Sequence, residues 1–98
     1  ARELFALVSE DRTRILAREG MSVAALRQFE SLPRHPIVTV ASAMRLVETT
    51  KPTAGKAIDL LVGAGVLKES TGKKRDRAFA YQAYLDRLKV GTELGTPG

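Results

Sequence analysis

Val40, Ala43, Met44 and Val47 recur at i, i+3, i+4 and i+7. Ala54, Ala57, Ile58 and Leu61 repeat that spacing fourteen residues later. Each stripe is the apolar face of an amphipathic helix, and two such faces in succession predict helices that lean on one another. Thr49, Thr50, Lys51 and Pro52 lie between them, so the connection is a tight turn. Thr39 is placed to cap the first helix and Thr50 the second, because a hydroxyl accepts from the free amides of a first turn. Pro52 then falls where a missing amide hydrogen costs little. The first helix, about Val40 to Val47, is only two turns long and depends on its neighbours for stability. The second runs to about Ala64, and Gly65 ends it.

Upstream, the segment from about Arg2 to Arg18 predicts a helix with Leu4, Val8 and Ile15 on one side and Phe5 and Leu16 flanking them. Asp11 and Arg12 interrupt that stripe, so its middle is expected to be partly wet. Gly20 is a stop signal. Ser22 caps a second helix whose buried face is Ala25, Leu26, Phe29 and Leu32, and Pro33 and Pro36 end it. Ile37 and Val38 read as a short strand. Downstream, Val66, Leu67 and the following residues read as a strand, Thr71-Gly72 as a turn, and Arg77 to Tyr81 as the return strand, with Phe79 and Tyr81 on one face. Tyr81, Tyr84, Leu85 and Leu88 restore helical spacing in a final short helix. The expected architecture is mainly α with a small β-hairpin. Residues 35–90 form a winged helix-turn-helix, 1–34 an N-terminal helical extension, and 91–98 a flexible tail.

Charge sharpens this picture. The 98 residues carry 16 Lys and Arg against 11 Asp and Glu, a net +5. Residues 1–34 hold six basic and five acidic side chains, and residues 35–98 hold ten and six. Lys68, Lys73, Lys74, Arg75 and Arg77 are set against only Glu69 and Asp76, so the excess gathers in the hairpin. Such a concentration attracts polyanions; it is equally what a solvated basic turn looks like. There is no Cys, which excludes disulfides, thiolate metal sites and thiol catalysis within the chain. No apolar run approaches the ~20 residues that cross a bilayer, and no leader with a cleavage site opens the chain. A cytoplasmic protein without membrane contact is expected. The chain starts at Ala1, and a longer parent protein is expected.

In a helix-turn-helix the second helix enters the major groove, leading with its first turn. The candidate nucleic-acid contacts are therefore Thr50, Lys51, Thr53 and Lys56 on that helix, and Lys73, Lys74, Arg75 and Arg77 in the wing. Lysines can meet phosphates or guanine edges, Thr53 a phosphate or a thymine methyl, and the wing the DNA backbone or minor groove. Gly55 and Asp59 share the exposed face; Asp59 opposes a polyanion, and the face carries no Arg, Asn or Gln. Catalysis has little support. His35 sits in a loop between Arg34 and Pro36 without carboxylate partners, and no Gly-x-x-x-x-Gly-Lys-Ser/Thr phosphate loop occurs. Neither a metal nor a cofactor is expected.

The pieces His-Pro-Ile-Val-Thr-Val (35–40), Thr-Thr-Lys-Pro-Thr-Ala (49–54), Lys-Ala-Ile (56–58), Gly-Val-Leu (65–67), Glu-Ser-Thr-Gly-Lys-Lys-Arg-Asp-Arg (69–77) and Tyr-Gln-Ala-Tyr-Leu (81–85) stand in a fixed order. With Leu-Arg-Gln-Phe-Glu-Ser-Leu-Pro (26–33) before them, they resemble the region that follows the catalytic domain in Fic-family proteins, over about residues 30–94. Fic enzymes transfer AMP from ATP to a protein hydroxyl through a loop of the form His-Pro-Phe-x-x-Gly-Asn-Gly-Arg. Here Ile37-Val38-Thr39-Val40 follows His35-Pro36, so the catalytic role does not carry onto His35. The family's inhibitory helix is not found either. The resemblance implies a non-catalytic winged-helix accessory module, partnered by a Fic catalytic domain in the parent chain and contacting DNA or a protein. Two alternatives stand beside it. One is a free-standing DNA-binding transcriptional regulator, with double-stranded DNA as partner. The other is a protein-interaction or homodimerisation module built on Tyr81, Tyr84, Leu88 and the interrupted first helix.

Overall fold

The computed structural model describes residues 2–70 and 77–94. Five helices and three two-residue strands follow in the order α1 (Arg2–Leu16), α2 (Val23–Ser31), β1 (Ile37–Val38), α3 (Val40–Val47), α4 (Lys51–Gly63), β2 (Lys68–Glu69), β3 (Phe79–Ala80) and α5 (Gln82–Leu94). The expected caps are present. Ser22 accepts from the Ala25 amide at the start of α2, Thr39 from the Ser42 amide at α3, and Thr50 from the Thr53 amide at α4. At α3 the arrangement is reciprocal, since the Ser42 hydroxyl accepts from the Thr39 amide at 2.9 Å. Two orphan donors are thereby satisfied at once.

The strands form one antiparallel sheet in the order β1-β3-β2, with Val38 opposite Phe79 and Glu69 opposite Phe79 on β3's other side. Ser70 N–H donates to the Ala78 carbonyl at 2.8 Å, extending the ladder by one pair. This register leaves a longer connection than a two-residue turn closing directly on these strands. The turn expected at Thr71-Gly72 itself lies outside the described residues. Phe79, Ala80 and Tyr81 are all buried. The expected in-out alternation is absent, since Ala80 between Phe79 and Tyr81 is buried as well.

A single apolar cluster joins the elements. Ile15 from α1, Ala25 and Phe29 from α2, Leu32, Ala43 from α3, Ala54, Ala57, Ile58 and Leu61 from α4, and Leu67, Phe79 and Tyr81 all belong to it. The matched stripes therefore meet as expected, and α2 and α3 are both packed against α4. The helices of residues 1–34 precede the helix-turn-helix in sequence, yet they share its core. Ile15, Phe29 and Leu32 are fully buried there.

Two expectations for the outer helices are corrected. The buried row of α1 is Leu7, Asp11 and Ile15, while Phe5 and Leu16 are exposed. Asp11 is not wet: it is 9% exposed, accepts from the Tyr81 hydroxyl at 2.5 Å and is bridged by Arg14 at 3.0 Å. Arg14 also donates to the Ala64 carbonyl at 2.7 Å, closing the C-terminal end of α4 with a cation. A carboxylate satisfied in this way can lie in a core seam. At the other end, α5 is longer than expected and carries helix to Leu94, so the tail expected from Gly91 does not begin there. An α-helix once nucleated by packing adds each further residue at low cost, which outweighs the weak propensity of Gly91. Residues 95–98 lie outside the described residues.

Candidate nucleic-acid interface

The turn between α3 and α4 is set by backbone chemistry. Glu48 takes the left-handed conformation (φ 54°), and its amide donates to the Met44 carbonyl. The Thr49 amide donates to the same carbonyl at 3.0 Å. Chain direction reverses there, and Thr50 starts the next helix. Its hydroxyl accepts from the Thr53 amide at 3.4 Å and donates to the Thr53 hydroxyl at 3.0 Å. Thr50 thus serves the helix it caps, and Thr53 is tied to it. Replacing Thr50 by Ala is expected to destabilise the fold by about 1 kcal/mol, the usual worth of such a cap. Thermal or urea unfolding reads it directly, and an unchanged midpoint would assign the cap no energetic role.

Past the cap, Lys51, Thr53, Lys56 and Asp59 are exposed along α4, opposite the buried Ala54, Ala57, Ile58 and Leu61. The first two turns of α4 therefore present two ammonium groups, Lys51 beside the free amides of the helix start and Lys56 one turn on. Beyond α4 is the wing. Of its four expected contacts, Lys73, Lys74 and Arg75 lie outside the described residues. Arg77 is described, and it is not the unengaged cation its sequence context suggested. Its guanidinium grips both carboxylate oxygens of Glu69 across the hairpin, through Nε at 2.9 Å and through Nη2. It also lies 5.7 Å from the Phe79 ring centroid. The Glu69 hydrogen bond and charge hold the Arg77 guanidinium above its ordinary pKa, with Asp59 adding to the effect.

Between α4 and the foot of the wing is a cleft of about 740 Å3. Lys51, Gly55, Ile58 and Asp59 line it from α4, Thr39, Val40, Ala41 and Met44 from α3 and its cap, and Arg77, just before β3, and Phe79 of β3 complete the lining. Sequence reasoning found Lys51 and Arg77 but not the cleft that both line, nor Glu69 as the partner of Arg77. The signal for that pair was present only as opposite charges eight positions apart, which is meaningful once hairpin register is known. Among the described residues no cluster of His, Cys, Asp and Glu could hold a metal ion. His35 is exposed in the α2–β1 connection. No described helix is long and apolar enough to cross a membrane.

Helix, turn, second helix and a small antiparallel sheet with a basic hairpin make this chain a winged helix-turn-helix. The same fold occurs in a MarR family transcriptional regulator from Silicibacter pomeroyi, with a TM-score of 0.55 and 20% sequence identity over 96% of this chain and 65% of that one. It recurs in the protein RV1404 from Mycobacterium tuberculosis, with a TM-score of 0.56 and 16% identity over 99% of this chain and 73% of the other. The chain thus spans 65% of the length of the first of these structures. No family model and no curated protein matches the sequence. The comparisons support the winged helix and contain nothing that points to a Fic-family origin.

Proposed function

We propose that this chain is a DNA-binding winged-helix module of a transcriptional regulator, docking α4 in the major groove with the basic wing on the adjoining backbone. The observation that carries the reading is the N-terminal half of α4, capped by Thr50 and presenting Lys51, Thr53 and Lys56 to solvent beside a hairpin rich in Lys and Arg. The net charge of +5 favours the encounter. The structural neighbour from Silicibacter pomeroyi is a MarR family transcriptional regulator, which supports the same reading.

Salt dependence tests it. Each phosphate neutralised on duplex DNA contributes about −0.9 to the slope of log K against log salt. With Lys51, Lys56 and the wing cations engaged, the slope should be steep. The double variant Lys51→Ala/Lys56→Ala should make it shallower by about two units. Fluorescence anisotropy on duplex DNA over a salt series measures both. No binding of the unaltered chain at low salt would overturn the proposal.

A second reading concerns assembly. Phe5 is 78% exposed and Leu16 60% on α1, and Leu88 is exposed on α5, which packs beside α1. A second copy covering these helices would pair two α4 helices on one duplex, as dimeric helix-turn-helix proteins do. Light scattering across a concentration series reads this out, and a monomer at every concentration would exclude it. An accessory role beside a Fic catalytic domain rests on motif order alone. Under that reading, as under the main one, this chain transfers no AMP to protein when incubated with labelled ATP.

A further inference from the structure

Gly55 stands in the middle of α4, where a glycine weakens a helix relative to alanine. Neither usual reason for one applies. Its φ lies outside the left-handed range, and a Cβ built on it meets no atom within 4 Å. No packing contact and no backbone turn requires the missing side chain. Gly55 does line the cleft between α4 and the wing foot, in one row with Lys51 and Asp59 at i−4 and i+4. The row therefore runs cation, gap, carboxylate, and Arg77, paired with Glu69 and influenced by Asp59, also lines the cleft. A cleft of about 740 Å3 falls within the ~300–1,000 Å3 range of pockets that enclose small ligands, room enough for a nucleotide unit.

We infer that Gly55 is the point of closest approach between α4 and DNA, where one sugar–phosphate strand enters this cleft beside Lys51. The inference rests on the DNA-binding reading and adds the place where the duplex touches the helix backbone. A helix lying in the major groove with a wing over the neighbouring backbone must have a strand crossing between the two. The missing side chain lets that strand come within contact of the α4 main chain, and Lys51, one turn before it, meets its phosphates. Asp59 disfavours phosphate at the far end and so sets where the strand leaves the cleft.

Stability and binding should therefore move in opposite directions. Gly55→Ala should raise the melting temperature by about 2–6 °C, as expected for an exposed helical site, while weakening binding to a mixed-sequence duplex. Gly55→Gln fills the cleft and should weaken that binding by about tenfold or more with the fold retained by circular dichroism. Gly63→Ala lies on the same helix away from the cleft, where a Cβ meets only the Arg18 guanidinium at 3.6 Å. It should leave affinity unchanged. Anisotropy of the unaltered chain and all three variants, over a salt series, reads the outcome. If Gly55→Ala and Gly55→Gln bind like the unaltered chain, the inference is wrong and the DNA-binding reading survives. If the unaltered chain shows no salt-dependent binding, both are wrong.

Discussion

Replacing Phe29 by alanine is expected to remove about 3–5 kcal/mol of stability, the range for deleting a buried aromatic ring. Phe29 is fully buried in the common core. Its ring lies 5.9 Å from that of Tyr81, tilted by 52°, a geometry that adds to simple area burial. It comes from α2, whose packing against α4 is the broadest helix contact described. Loss of the ring leaves a void beneath α4 that the remaining side chains fill only partly. Domains of this size have about 5–15 kcal/mol in total, so the variant sits near the edge of folding. Urea unfolding should show a lower midpoint with an unchanged slope. A loss below about 1 kcal/mol would mean that α1 and α2 are ornaments on the helix-turn-helix and not its core.

Tyr81→Phe is the second large effect, expected at about 1.5–3 kcal/mol near neutral pH, the worth of a hydrogen bond to a charged group. The Tyr81 hydroxyl donates to Asp11 in the seam between α1 and the start of α5. Without it the buried carboxylate keeps only Arg14 among its described partners. A pH signature separates this bond from mere packing. Burial first, then the hydrogen bond to Asp11, push the Tyr81 hydroxyl well above its ordinary value of 10.0. Above pH 10 the unfolded chain releases this proton while the folded chain keeps it, so the unfolded state binds fewer protons and stability falls as pH rises. Below pH 10 this contribution is fully present. The slope approaches about 1.4 kcal/mol per pH unit for one group. Denaturation at a series of pH values should show the alkaline loss in the unaltered protein and a shallower one in Tyr81→Phe. Tyr84 and the lysines are common to both chains, so the difference isolates Tyr81. Parallel curves would refute the account.

These two residues also mark where local reading ended. Phe29 sits in an apolar stripe with helical spacing, so its burial followed from pattern alone. Asp11 breaks such a stripe, and a charged residue in that position reads as solvent-facing. Its buried state depends on a hydroxyl seventy positions away, which no local window contains. Gln28, outside the expected apolar face of α2, is likewise fully buried, with its amide nitrogen donating to Ser31 at 3.1 Å. Arg77 looked like one more wing cation until the register of β2 and β3 set it against Glu69. On α4 the exposed row of Lys51, Thr53 and Lys56 was legible, because one helix has one exposed face once its apolar stripe is known. The use of Thr50 as a cap was legible for the same reason. Gly55 was legible as a glycine on that exposed face, but only the structure shows that no packing contact or turn requires it.

Periodicity, caps and breakers along the chain determined the helix-turn-helix, the strand at Ile37 and Val38, and the basic character of the hairpin. These follow from interactions within a few residues, where side-chain spacing and backbone amides decide the outcome. Only the tertiary structure decided that residues 1–34 complete the core, that Asp11 and Tyr81 bind each other inside it, and that α4 and the wing foot enclose a cleft. Each of those depends on which surfaces meet after the chain has folded back, and burial of an apolar face does not by itself name its partner.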